Sequence, residues 1–133
     1  MQVSRRRLRE VAAAPMFSIR SSGAGLAPRT LHLSGELDMA FSGHLREAVE
    51  RTLASTATQW LIVDLRDTTL IDSSAVKELV DVHRFAARQG RVLVVRNANG
   101  IVAEVLRITG VAATLERPAT RPTGTLYGSP NGR

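Results

Sequence analysis

The chain contains no cysteine at all. That excludes disulfide staples, thiolate-ligated zinc, iron–sulfur clusters and thiol nucleophiles. Aromatic residues make up only 4%, too few for the stacking platforms on which single-stranded nucleic acids are held. No apolar run approaches the roughly 20 residues that span a bilayer, so membrane insertion is not expected. The early arginines lead into a short alanine-rich stretch without the apolar core of a secretory signal. A cytoplasmic protein is therefore the expectation. Lysine is nearly absent: Lys77 stands alone beside 17 arginines.

What is present is ordinary for a globular domain. The chain has 133 residues, 44% hydrophobic and 23% charged, which is enough for one core. The net charge of +6 invites a nucleic-acid reading, but its placement argues otherwise. Residues 16–117 carry 12 basic and 11 acidic side chains and are nearly balanced. The excess sits in Arg5, Arg6, Arg7, Arg9, Arg121 and Arg133. A nucleic-acid-binding domain usually carries its basic patch on the folded part, so no direct nucleic-acid contact is expected. Residues 1–14 read as a disordered basic tail. Residues 118–133 hold three prolines and three glycines and read as a second disordered tail.

Between the tails, strand and helix patterns alternate. Residues 16–20 and 30–34 alternate apolar and polar side chains, and the Gly23-Ala24-Gly25 loop between them suggests a hairpin. Ser42 reads as an N-cap, followed by Leu45, Val49, Thr52 and Leu53 at helical spacing over 43–55. Residues 60–65 form a near-continuous apolar run, as in a strand buried on both faces. A helix over 73–89 carries Val76, Leu79, Val80, His83 and Ala87 on one stripe, and Gly90 closes it. Residues 91–96 form a further buried strand. Asn97 or Asn99 caps a helix over 99–108, with Ile101, Val102, Val105 and Leu106 on its stripe. Val111 to Leu115 reads as a weak edge strand. The order predicts a small α/β domain over 15–117: a mixed, mostly parallel sheet with an antiparallel first strand and helices packed on it.

Ligand sites in open α/β sheets gather at the carboxyl ends of strands. Two turns are expected there, Gly35-Glu36-Leu37-Asp38 and Thr69-Leu70-Ile71-Asp72-Ser73-Ser74. Asp72 and Ser73 are both helix-capping residues. A plain cap accounts for one of them. The other reading is a serine held out at a helix N-terminus, where unpaired N–H groups and the helix dipole tolerate a phosphate.

Catalysis is not expected. There is no G-x-S-x-G elbow, and His83 lies ten residues beyond Ser73 on the same predicted helix, out of its reach. A histidine on an apolar stripe reads as a packed core residue. His32, His44 and His83 lack metal-ligand spacing, and no glycine-rich loop fits a phosphate or dinucleotide fingerprint. Asp64 and Asp67 read as a solvated turn. Neither a metal nor a cofactor is implied.

Together these residues resemble the STAS domain family. Leu33-Ser34-Gly35-Glu36-Leu37-Asp38 before a helix is similar to one of its signatures. The second is a buried strand through Asp64-Leu65, then Ile71-Asp72-Ser73-Ser74 opening a helix. Gly90 to Val95 and the helix from Ile101 to Gly110 match the later half, so the resemblance covers about residues 16–117. It implies a bacterial anti-sigma factor antagonist, a regulator of transcription by partner switching. Such a protein binds a serine-kinase anti-sigma factor, frees the sigma factor, and is released when the kinase phosphorylates it. The resemblance gives Ser73 the phosphoacceptor role. It implies a partner face of Gly35, Glu36, Asp38, Asp72, Ser73, Ser74 and Ala75 on a monomer or weak dimer. Two rival readings are a non-phosphorylated STAS subunit of a membrane-transport ATPase and a small-molecule-sensing STAS module.

Two departures stand out. The family usually has glycine where this chain has Ala75, and a methyl there is expected to crowd the kinase. The family also closes with a fourth helix, for which Pro118 and the following residues leave no room.

Overall fold

The computed structural model describes residues 16–118. The tails expected at 1–14 and beyond Pro118 lie outside the described residues. Strand β1 (Phe17–Ser22) pairs antiparallel with β2 (Arg29–Leu37). A 3-10 turn (Met39–Phe41) leads into α1 (His44–Ser55). Strand β3 (Trp60–Ile71), α2 (Ser73–Arg88), β4 (Val92–Arg96), α3 (Gly100–Ile108) and a single turn α4 (Ala112–Leu115) complete it. The sheet order is β1-β2-β3-β4, with β2–β3 and β3–β4 parallel. This is the expected mixed sheet with one antiparallel edge. Among the described residues no helix is long and apolar enough to cross a membrane.

One side of the sheet carries the core. Leu31, Leu33, Leu61, Val63, Leu65, Leu93 and Val95 alternate along their strands onto that side, as the pleat requires. They meet Leu45 and Val49 of α1, Leu79 and Val82 of α2, and Val102 and Leu106 of α3. Each fully buried aliphatic side chain contributes about 1.5–3 kcal/mol. On α2 the buried set includes Val82 and Ala86, while Val80 and Ala87 are half-buried. Ile101, expected on the packing stripe of α3, faces solvent at 57% exposure.

Four local expectations are corrected. First, β2 and β3 run further than 30–34 and 60–65. Gly35 to Leu37 and Thr69 to Ile71 are strand, because parallel pairing continues as Glu36↔Leu70 and Leu37↔Ile71 beyond a register shift. Second, Val111 to Leu115 is helical rather than an edge strand. The Leu115 amide bonds the Val111 carbonyl at 2.9 Å, and Leu115 is fully buried. This one turn stands where a longer fourth helix had been ruled out.

Third, Ser42 does not cap α1. The N-cap is Gly43, in the left-handed region at φ 86°, where L side chains are strained. Glycine has no side chain with which to cap. Glu78 of α2 supplies the missing acceptor, taking the Gly43 amide at 2.8 Å and the Arg46 amide at 2.9 Å. Fourth, Asp64 does not lie in a solvated turn. It sits within β3, and its carboxylate accepts from the Arg66 amide and the Asn97 side chain, both at 2.9 Å.

His83 is a packed core histidine, as expected. It is 3% exposed, and its Nε2 lies 2.9 Å from the Arg117 carbonyl. Asn99 takes the N-cap position of α3, but its side-chain amide donates to the Arg66 carbonyl at 3.1 Å and not to the helix. It thereby ties the start of α3 to β3.

Candidate functional site

Strands β2 and β3 end side by side, and each runs into an aspartate that caps a helical turn. Leu37 and Ile71 are register partners, and the Asp72 amide donates to the Leu37 carbonyl at 3.1 Å. Asp38 accepts from the Ala40 amide at 3.0 Å and starts the 3-10 turn. Asp72 accepts from the Ala75 amide at 3.0 Å and starts α2. Two segments far apart in sequence thus form one edge of the molecule. Met39 stands out from it at 78% exposure, with the partly exposed Leu70 nearby on β3.

Gly35 shapes this edge from below. Its φ is +89°, and a Cβ there would stand 2.0 Å from the Met16 carbonyl oxygen. The chain needs that close approach, because the Glu36 amide donates to the same oxygen at 2.8 Å. Glu36 and Asp38 are half-buried just beyond.

Ser73 and Ser74 differ sharply. Ser74 is half-buried, and its hydroxyl donates to Asp72 Oδ1 at 2.6 Å. Ser73 is exposed as the first residue of α2, and its hydroxyl makes no hydrogen bond among the described residues. Of the two, Ser73 is the hydroxyl open to an incoming reagent. Ala75 is 1% exposed within the core. Its methyl points inward, so the expected crowding of an approaching protein does not arise from it.

The Asp72 carboxyl titrates below the usual carboxylate range. The hydrogen bond from Ser74 is the largest cause, burial opposes it, and the Ala75 amide adds to the lowering. A carboxyl lowered on folding stabilises the fold above its unfolded pKa, and that contribution fades as pH falls through the folded pKa. Ser74→Ala is therefore expected to move the Asp72 titration upward, toward the ordinary value. It should also cost about 1 kcal/mol near neutral pH, a loss that shrinks in acid. Carboxyl NMR titration and thermal midpoints at two pH values check this. An unmoved Asp72 titration would refute it.

A profile of the STAS domain matches residues 23–123. The chain belongs to the STAS domain family. Its fold is similar to that of the anti-sigma factor antagonist SpoIIAA in its unphosphorylated form, with a TM-score of 0.63 at 18% identity, covering 77% of this chain and 89% of that one. It is also similar to an anti-sigma factor antagonist from Mycobacterium paratuberculosis, with a TM-score of 0.62 at 21% identity, covering 84% and 91%. A third similar structure is the protein TM1081, with a TM-score of 0.63 at 17% identity, covering 75% and 78%. At these identities the likeness establishes a shared fold. No curated protein matches the chain.

The STAS sheet also holds a polar set that sequence reading missed. His32 and Asp64 are register partners on the side of the sheet away from the core, and His32 Nδ1 pairs with Asp64 Oδ2 at 3.2 Å. Ser22 Oγ lies 2.8 Å from His32 Nε2. Burial pushes the Asp64 carboxyl up. Hydrogen bonds from Asn97 and Arg66 and the nearby cationic side chains outweigh this, so it titrates below its ordinary value. The set ties β1, β2 and β3 together across a flat face. Among the described residues no group of three His, Cys, Asp or Glu side chains is placed to hold a metal ion.

Two residues near the STAS strand ends were also missed. Glu78 looked like one more exposed helix acid, yet it is 8% exposed and caps α1. Lys77 lines a shallow cleft of about 270 Å³ with Ser42, Gly43, Arg46 and Ser74. Its only signal in the sequence was its being the sole lysine.

Proposed function

We propose that this STAS domain is a non-catalytic anti-sigma factor antagonist. It binds a serine-kinase anti-sigma factor through the edge formed by Gly35, Glu36, Asp38, Asp72 and Ser73, and phosphorylation of Ser73 releases it. The observation that carries this reading is the contrast between the two serines. Ser73 is exposed and unbonded at the start of α2, while Ser74 is engaged by Asp72. Family membership and the similarity to solved antagonists support it.

The switch follows from electrostatics. Unmodified, the edge offers a kinase partner a small neutral hydroxyl between Met39 and the exposed face of α2. A phosphate adds about 1.5 to 2 negative charges at neutral pH. Beneath a partner that charge lies beside the Asp72 carboxylate without a matching cation, and burying a charge unpaired is expensive. The modified domain itself keeps its fold, since a negative group in the first turn of a helix is favourable. Asp72 holds the turn in shape and takes no proton from Ser73. The transport-ATPase reading drew its support from Ala75, which is buried.

The test is incubation of the protein with candidate serine-kinase anti-sigma factors and ATP. Mass spectrometry is expected to find one phosphate, on Ser73. Ser73→Ala is expected to remain bound to the kinase in the presence of ATP. Absence of phosphate on Ser73, or recovery of a transporter ATPase as the stable partner, would overturn the reading.

A further inference from the structure

Lys77 lies one helical turn beyond Ser73 on α2, at the i,i+4 spacing, with the acceptor position N-terminal and the lysine C-terminal. That order is the favourable one for an anion and a lysine on a helix. Helical Cα–Cβ bonds tilt toward the N-terminus, so the Lys77 stem leans back toward the turn that holds Ser73. In the unmodified protein the lysine has only a loose partner. Its Nζ is 3.1 Å from Asp81 Oδ2, with side-chain exposures of 78% and 42%. An exposed pair of this kind contributes little and exchanges readily.

The other charged groups around Ser73 are already engaged. The Asp72 carboxylate accepts from Ser74 and the Ala75 amide. Asp38 accepts from the Ala40 amide. Glu78 holds the amides of Gly43 and Arg46. The Arg46 guanidinium bonds Glu50 at 2.9 Å and lies 4.3 Å over the Phe85 ring. That leaves Lys77 as the nearby cation with a weak, solvent-exposed competitor. A phosphate offers three strong acceptor oxygens and more charge than one carboxylate.

Resting on the phosphorylation of Ser73 proposed above, we infer that Lys77 receives the phosphate on Ser73 and leaves Asp81 to do so. Phosphorylation then has two effects on the partner face. It adds negative charge, and it folds the chain's one lysine back onto α2.

The experiment uses the full chain with phosphoserine encoded directly at position 73, so that no kinase is needed. The second ionisation of the phosphate is followed by phosphorus NMR in that protein and in the same protein carrying Lys77→Met or Asp81→Asn. With Lys77 present the phosphate is expected to titrate about 0.3 pH unit lower than in Lys77→Met. That difference should survive Asp81→Asn and vanish in about 1 M salt, where the Debye length falls to about 3 Å. Identical titrations with and without Lys77 overturn the inference, as does a difference abolished by Asp81→Asn or one that persists in high salt. If the shift is present but kinases leave Ser73 unmodified, the pairing stands and the proposed function fails.

Discussion

Gly35→Ala is expected to lower the thermal midpoint by at least about 12 °C. Two penalties combine at this position. A non-glycine residue held in the left-handed region costs on the order of 1–3 kcal/mol. The new methyl would also stand 2.0 Å from the Met16 carbonyl oxygen and 3.0 Å from Phe17 Cα, both backbone atoms that no side-chain rotation can move. Relief requires β1 to pull away from β2, which gives up the hydrogen bond from the Glu36 amide to Met16. A total of about 3 kcal/mol or more, at about 4–8 °C per kcal/mol for a domain near this size, yields the stated shift. Gly25→Ala is the control: its φ is +63° and open space surrounds it, so only the conformational penalty of about 1 kcal/mol applies. Calorimetry on both variants decides, and equal small losses would show that the close approach to Met16 does not matter. Because Glu36 and Asp38 follow Gly35 directly, the same variant is expected to loosen the partner edge.

Ser73→Asp is expected to weaken binding to the anti-sigma partner about 100-fold while leaving the melting curve unchanged. The aspartate carries a fixed charge at an exposed first-turn position, beside an Asp72 carboxylate that is ionised well into acid. Beneath a partner the new charge has no cation of its own. A penalty of about 3 kcal/mol corresponds to roughly two powers of ten in affinity. Stability is spared because acidic side chains suit the first turn of a helix. The contrast with Ser74→Ala separates the two serines. That variant loosens the Asp72 cap and lowers stability, yet adds no charge to the edge. Titration calorimetry with the same partner measures both. Wild-type affinity in Ser73→Asp would remove the basis for a charge-driven switch.

Local chemistry made much of this legible from the sequence. Apolar alternation marked β1 and β2, the continuous runs marked β3 and β4, and helical stripes placed α1, α2 and α3 within a residue of their ends. Asp72 read as a helix cap and caps α2 through the Ala75 amide. His83 read as a core residue from its stripe alone. These features depend on which face of an element is buried and on groups within a turn of one another, which is the information a linear pattern carries.

Tertiary structure decided what depends on distant partners. The Gly35 and Leu70 segments became strand because each supplies the other's hydrogen bonds, and neither sequence shows where its register shifts. Gly43 displaced Ser42 as the cap of α1 because the acceptor for its amide comes from Glu78, 35 residues away. Asp64 became half-buried because His32 stands opposite it on the neighbouring strand. The Ala75 methyl turned inward because the cap at Asp72 fixes the phase of α2 against the core. Val111 to Leu115 coiled because Leu115 reaches the core as a helical turn. Periodicity fixes how an element faces its neighbours, but a buried donor takes its acceptor from whichever segment packs against it.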